Sequence, residues 1–135
     1  MSGKLWETFG QERRTLSSDS TDSQYEPWRM PASHTGMPTK LALVPAQHVS
    51  AERWRIPYFQ TIIQRYNRTT GQLSLICPAT GYIVFIEGWG LDELDELIER
   101  REVASVHMFD EAIHQPIGND APIVTNIMVE EQKPF

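Results

Sequence analysis

The chain has little of what the commonest catalytic and metal-binding motifs require. Its 135 residues include one cysteine, Cys77, so neither an internal disulfide nor a cysteine-rich zinc site is available. The phosphate-binding patterns Gly-x-x-x-x-Gly-Lys-Ser/Thr and Gly-x-Gly-x-x-Gly, the nucleophile pattern Gly-x-Ser-x-Gly and the redox pattern Cys-x-x-Cys are all missing. These absences give no catalytic residue and no cofactor to predict, and they favour a protein that is not an enzyme.

Long apolar runs are also lacking. The longest, 82–86, is far shorter than the roughly 20 residues that a transmembrane helix needs. The first residues, "MSGKLWETFGQERR", do not contain the uninterrupted apolar core of a signal peptide. Together with the single cysteine, these features predict a cytoplasmic protein with no membrane partner.

Acidic residues are in the minority in the first half of the chain, and basic residues are scarce in the second half. Residues 1–70 hold nine Lys/Arg against six Asp/Glu, a balance of +3, whereas residues 71–135 hold three against twelve, a balance of −9. The total is −6 and the isoelectric point is about 5.1. Such an asymmetry predicts either a charged partner or docking of one half on the other.

Residues 1–38 are rich in Ser, Thr, Asp and Pro and show no apolar periodicity. This composition predicts a tail that is disordered or loosely docked, followed by a single domain over residues 39–135. Trp6 and Trp28 stand out in the tail, because a disordered chain has no structural use for tryptophan. They serve either as short docking motifs or as hydrophobic pegs on the chain's own domain.

Two similar turns organise the middle of the chain. "RTTG" (68–71) and "PATG" (78–81) each end in a glycine that suits the left-handed last position of a hairpin loop. Strand-like segments lie between and after them, at 72–77 and 82–87. Residues 58–66 carry both a helical apolar stripe and β-branched residues, and the turn that follows favours a strand. The prediction is a three-strand antiparallel meander.

The stretch "IEGWGLDELDELIER" (86–100) predicts a strand, a glycine-bracketed exit and then an amphipathic helix. Leu91, Leu94, Leu97 and Ile98 recur at helical spacing and give one face for packing on the sheet. Two further strands are expected at 103–109 and 123–130, and "KLALV" (40–44) is a candidate extra edge strand. Strands grouped before and after one helix indicate an α+β fold with a small antiparallel sheet.

The leading functional hypothesis concerns the opposite face of this helix. We predict a non-enzymatic adaptor, regulator or inhibitor that binds a protein with a basic surface through its acidic C-terminal half. The acids of the helix are expected to point outward, and a solvated face with no partner is the plain alternative. The predicted partner-binding residues are Trp89, Asp92, Asp95, Glu96 and Glu99.

A small metal-dependent enzyme is the alternative from another class. Two imidazoles and two carboxylates within a short segment have the donor atoms that zinc or iron requires. Their spacing matches no helical His-x-x-x-His or Glu-x-x-His pattern, so surface polar residues at a strand end remain the simpler interpretation. The candidate ligands are His107, Asp110, Glu111 and His114.

A third hypothesis is binding of single-stranded nucleic acid through the segment Arg53 to Arg68. Arginines interleaved with aromatic residues can pair with phosphates and stack on bases, although the acidic second half of the chain counts against it. A homodimer formed through a sheet edge is a further possibility. The candidate nucleic-acid-binding residues are Arg53, Trp54, Arg55, Arg65, Tyr66 and Arg68.

Overall fold

The computed structural model of the chain describes residues 24–32, 36–118 and 120–131. They divide into two compact units, of which the smaller includes residues 24–25 and 111–117 and the larger includes the rest. In the smaller unit the rings of Tyr25 and His114 meet edge to face with their centroids 5.0 Å apart. The larger unit contains all the regular secondary structure of the described residues.

The regular elements are short strands and one helix. Most strands alternate buried and exposed residues, as expected where one face of a sheet covers a core. In chain order they are β1 (Trp28–Arg29), β2 (Lys40–Val44), β3 (Trp54–Pro57), β4 (Ile63–Asn67), β5 (Gln72–Cys77), β6 (Tyr82–Trp89), α1 (Asp92–Glu99), β7 (Ser105–His107) and β8 (Ile123–Glu131).

The strands form two four-stranded sheets. The first has the order β1-β7-β2-β3 and is mixed, because β2 runs parallel to β7 while its other pairs are antiparallel. The second has the order β4-β5-β6-β8 and is antiparallel throughout. Strands β7 and β8 therefore join different sheets although they follow one another in the chain.

One apolar core lies within the larger unit. It unites buried side chains from both sheets with Leu94, Leu97 and Ile98 of α1, which confirms the predicted buried face of the helix. Burial of this aliphatic surface is the main favourable contribution to folding. The α+β class is confirmed at this level, as a sheet-rich structure with one short helix among the described residues.

The prediction of a single small sheet is wrong. Strands β4, β5 and β6 do pair consecutively, but β8 extends their sheet and the remaining strands form a second one. "KLALV" is an internal strand of that second sheet and not an edge strand, because β2 lies between β7 and β3. Strand propensity indicates where strands form, whereas partner choice depends on contacts remote in sequence.

The ambiguous segment 58–66 divides at its middle. Residues 58–60 form a turn and β4 starts at Ile63, so the helical alternative is wrong. Gly71 and Gly81 have φ angles of 73° and 78°, which confirms the predicted left-handed glycines at the two hairpin loops. The chemistry of these turns is local, and the sequence alone was sufficient to identify them.

Much of the predicted tail lies outside the described residues, including Trp6. Trp28, by contrast, is half-buried against the core, and β1 pairs with β7 in the register Trp28 to Val106. The division at residue 39 stays a prediction. In the described part of the chain, no helix combines the length and apolar character needed to cross a bilayer.

Candidate functional site

The exit from β6 is shaped by two glycines. Gly88 lies at a bulge in the pairing of β6 with β8, and its N–H donates to the carbonyl oxygen of Gly71 at 3.0 Å. A Cβ atom on Gly88 would collide with the carbonyl of Ile123. Gly90 has a φ of 70° and packs against Pro122. The two glycines therefore allow close backbone contacts and a turn, and they do not form a phosphate loop.

Trp89 lies between these glycines and points into solvent. It is the last residue of β6, pairs with Ile123 of β8, and keeps 67% of its surface exposed. Tryptophan offers a large apolar surface that is unfavourable in water, so an exposed one is an informative observation.

Helix α1 begins three residues after Trp89 and exposes an acidic face. Asp92 and Glu93 lie in its first turn, where the positive end of the helix dipole favours carboxylates. Its last turn contains no basic residue within Asp92–Glu99. Arg100 lies just beyond and approaches Glu96 at 4.0 Å, with both side chains more than half exposed. Such a pair contributes little to stability.

Strand β4 binds the side of this helix through alternate residues. The Gln64 side-chain amide donates to the carbonyl oxygen and to Oδ1 of Asp95, each at 2.7 Å. The Tyr66 hydroxyl donates to Oδ1 of Asp92, also at 2.7 Å. The Arg68 guanidinium lies 3.9 Å from the other carboxylate oxygen of Asp92. Arg68, a basic residue of the first half of the chain, thus lies beside the acidic helix of the second half.

A cleft of about 550 Å³ opens between β4 and α1. Its wall is mostly polar and carries both signs of charge, so it has no net preference for an anion or a cation. The lining residues are Ile62, Gln64, Tyr66, Arg68, Asp95, Glu99 and Arg101.

Tyr66 is the titratable group most affected by this arrangement. Partial burial, then the hydrogen bond to Asp92 and its negative charge, raise the pKa of Tyr66 to about 12. Arg68 acts in the opposite direction but more weakly. The phenol therefore remains protonated at neutral pH and acts as a donor to the carboxylate. A protonated phenol can hold helix α1 against β4 through this hydrogen bond, but it cannot act as a general base.

The five predicted partner-binding residues do not share one environment. Trp89, Asp92, Glu96 and Glu99 are exposed. Asp95 is half-buried and accepts the Gln64 amide, so the expectation that it points outward is wrong. A helical wheel places Asp95 on the polar side of α1, but it cannot show that β4 covers that side.

The four candidate metal ligands are not gathered into a site. His107 on β7 makes a 2.8 Å contact from Nε2 to the Ser105 hydroxyl, and buried Asp110 accepts the Gln47 N–H at 3.3 Å. Glu111 and His114 belong to the other compact unit. Within residues 24–32, 36–118 and 120–131, no group of three or more His, Cys, Asp or Glu side chains could hold a metal ion.

The arginines and aromatics of the nucleic-acid hypothesis are distributed over both sheets. Arg53 precedes β3 and Arg55 lies on it, in the first sheet, whereas Arg65 lies on β4, in the second.

Trp54 is half-buried and meets the Tyr82 ring edge to face with centroids 5.5 Å apart. Tyr66 is half-buried and bonded to Asp92, and Arg68 lies beside the same carboxylate. Each of these two aromatic residues already contacts another side chain of the chain, and the nucleic-acid hypothesis stays a prediction.

Sequence reasoning missed the part played by β4 in this site. The available signal was the alternation of Gln64, Tyr66 and Arg68, which places three polar-tipped side chains on one face of a strand. It also missed Arg101, whose φ of 61° ends the helix region in a left-handed turn and whose guanidinium lies 5.6 Å from the centre of the Tyr58 ring. Comparisons of the chain with protein-family models, curated proteins and solved structures found no match.

Proposed function

We propose that this protein is a non-enzymatic interaction module that binds a protein partner with a basic surface. The binding surface, called the Trp89 surface below, consists of Trp89, Asp92, Glu96 and Glu99. We further propose that the module acts in the cytoplasm, in line with its single cysteine, Cys77, which is buried.

The observation that carries the proposal is the exposure of Trp89. Because the Trp89 side chain is 67% exposed, it contributes little to the stability of the fold for its size. Tryptophan is nevertheless one of the residue types that dominate binding energy at protein interfaces. Its backbone is held by pairing with Ile123 of β8, and the preceding Gly88 donates its N–H to the carbonyl of Gly71. A rigid aromatic anchor loses little conformational entropy on binding.

The acidic residues supply the second half of the proposal. Asp92, Glu96 and Glu99 are exposed on the helix that follows Trp89, and the chain carries most of its negative charge in this half. Exposed charges at the rim of an interface act mainly on the rate of encounter and on partner choice. Gln64 and Tyr66 support the surface from behind, because they hold the helix against β4.

The experiment is affinity capture from the native cell, followed by binding measurements with the purified partner. Trp89→Ala should lower affinity by about tenfold or more, which corresponds to roughly 1.4 kcal/mol. Phe59→Ala is the matched control, because Phe59 is 90% exposed but lies between β3 and β4. Equal affinities for wild type and Trp89→Ala would contradict the proposal.

A second measurement tests the charges. Glu96→Lys and Glu99→Lys, made separately, should each slow association and reduce its dependence on salt, because the attraction to a basic partner is weakened. Glu52→Lys is the control, since Glu52 is an exposed acid in the loop before β3. If all three reversals change the rate equally, only net charge matters and the Trp89 surface is not the contact.

A further inference from the structure

The outer face of the second sheet carries more apolar surface than the monomer uses. Alternate residues of its strands point inward and are buried, including Leu73 and Leu75 of β5 and Val84 and Ile86 of β6. The residues between them point outward. Five of these are large and apolar, and none belongs to the core cluster: Ile63, Ile76, Ile83, Phe85 and Met128.

These five residues form one patch, as the strand register shows. Ile63 is opposite Ile76, and Ile76 is opposite Ile83. We call such a set of residues, paired across the strands on one face, a row. In the next row Phe85 is opposite Met128. Directly opposed side chains on one face of an antiparallel sheet are in contact range. Ile63 and Met128 are 48% and 42% exposed, and a shallow groove of about 620 Å³ runs across this face. Ile76, Ile83 and Phe85 are half-buried, so the patch is contiguous but only partly exposed, and apolar patches of this kind are typical of interaction sites.

Two charged residues lie on opposite edges of the same face. Arg65 lies on the edge strand β4, in the row that continues through Ser74 and Phe85 to Met128. Glu130 lies on the other edge strand, β8, in the row that continues through Ile83 and Ile76 to Ile63. Within the described part of the chain neither charge has an ion-pair partner.

We propose that a second copy of this chain packs on this face, with the two copies related by a two-fold axis that runs along the strands between β5 and β6. That axis places β4 of one copy over β8 of its partner and keeps each row opposite the same row. Two sheets packed face to face lie about 10 Å apart, so side chains from both copies interdigitate. The resulting contact is self-complementary, as closed dimers require.

The rows fit this arrangement in shape. The large ring of Phe85 comes to lie over the small Ser74 of the second copy, and the reverse contact occurs by symmetry. In the neighbouring row, Ile76 meets Ile83 of the second copy. A large side chain opposite a small one is the pattern that fills the space between packed layers.

The charges fit it as well. Arg65 lies opposite Met128 of the second copy, and Glu130 of that copy lies one row away, a distance of about 7 Å along the strand. The Arg65 side chain is long enough to lay its methylene groups along Met128 and bring its guanidinium to Glu130. Symmetry creates this pair twice, so each copy neutralises the edge charge of the other.

The size of the face sets the expected affinity. Four strands about 4.8 Å apart and the two rows described above give a contact smaller than the roughly 800 Å² per partner of a standard stable complex. The dimer should therefore be weak and should depend on protein concentration. Phe85, Ile76 and Ile83 would supply its apolar centre, Ile63 would lie at the edge opposite Glu130 of the second copy, and the Arg65–Glu130 pairs would set the orientation.

The test is the mass of the full chain in solution, measured by sedimentation equilibrium over a wide range of concentration. The wild-type mass should rise from the 15.5 kDa of one chain toward twice that value. Arg65→Glu and Glu130→Arg should each raise the dimer dissociation constant by about tenfold or more, because each places like charges together at two positions. The double variant should regain most of the wild-type affinity, since it restores both pairs with their signs exchanged.

Arg53→Glu is the matched control, as Arg53 is exposed and precedes β3 of the other sheet; it should leave the dimer unchanged. Unchanged thermal unfolding would show that the variants fold. A wild-type chain that stays monomeric at every concentration would overturn the proposal. So would a dimer that survives both single reversals, which would indicate pairing through a sheet edge, or a double variant that fails to recover.

Discussion

The side-chain amide of Gln64 donates to both the backbone carbonyl and the carboxylate of Asp95, each at 2.7 Å. This contact joins the edge strand of the second sheet to the middle of the only helix in the described residues. It also separates Asp95 from the outward-facing acids of the same helix, which has measurable consequences.

Asp95→Lys should lower the free energy of unfolding by about 1–2 kcal/mol, because the half-buried Gln64 amide loses its carboxylate partner. Asp95→Asn keeps an oxygen acceptor and should cost less. Glu99→Lys relieves the repulsion between Asp95 and Glu99 and should change stability by no more than about 0.5 kcal/mol. Urea unfolding of the three variants measures these differences. Equal effects of Asp95→Lys and Glu99→Lys would mean that the Gln64 contact contributes nothing.

Leu94 and Leu97 should show the energetic weight of the buried helix face. Leu94 is fully buried, so Leu94→Ala should cost about 2–5 kcal/mol, and Leu97→Ala, at 9% exposure, should fall near the lower end. Either loss is a large share of the roughly 5–15 kcal/mol that holds a domain folded. Thermal or urea unfolding tests the ranking, which fails if Leu97→Ala is the more damaging change.

Four glycines allow two effects on stability to be separated. Gly118 has no positive φ and Gly36 has a φ of 74°, and an added Cβ would meet no atom within 4 Å at either position. At Gly88 the φ is ordinary, but an added Cβ would collide with the backbone of Ile123. Gly71 combines a φ of 73° with a collision of the added Cβ with the backbone of Gly88. Alanine should be almost neutral at Gly118 and cost about 1 kcal/mol at Gly36. Larger losses are expected at Gly88 and Gly71, because backbone atoms must move. An alanine tolerated at Gly71 would show that this hairpin shifts freely.

Tyr66 should titrate late and link stability to alkaline pH. Its pKa in the folded chain is about 12, above the ordinary value of 10. The folded state thus keeps the proton longer than the unfolded chain. The stabilising contribution is fully present below about pH 10 and is lost as the pH rises toward 12.

The measurement is the phenolate absorbance of wild type minus that of Tyr66→Phe, followed against pH. Asp92→Asn should shift the midpoint of this difference downward, since it removes the negative charge beside the phenol. Glu93→Gln is the control, because Glu93 is an exposed acid of the same turn and is not the residue that accepts the Tyr66 hydroxyl. If Asp92→Asn leaves the titration midpoint unchanged, burial alone accounts for the raised pKa of Tyr66.

The parts of the fold that could be predicted depend on neighbours in sequence. The spacing of Leu94, Leu97 and Ile98 predicted the helix and its buried face, and the turn sequences predicted the hairpin glycines. Serine is a common helix cap, yet no helical turn follows Ser50. Ser50 instead accepts the backbone N–H of Glu52, and β3 follows at Trp54. A serine favours local turns as readily as helix starts, so its presence alone does not decide between them.

The missed parts depend on contacts between distant segments. The hydroxyl of Tyr58 donates to the carbonyl of Val103 at 2.7 Å, and Gln64 reaches Asp95 across 31 positions. No local pattern specifies such pairs, because they follow from how the sheets and helix pack. Trp89 and three helix acids are exposed, as a binding surface requires, but their role in binding stays a prediction, and the strand that supports them was not predicted.

The parallel pairing of β2 with β7 affects the order of events when the chain is made. Ala42 and Leu43 find their partners in Ser105 and Val106, which leave the ribosome much later. Until then, β2 and β3 form at most a hairpin whose two outer edges are both unpaired, and closing the long loop to β7 is slow. Folding of the first sheet should finish only after synthesis has passed β7. During that interval the nascent chain has an exposed strand edge at which it can aggregate, and a chaperone that covers such edges should raise its yield.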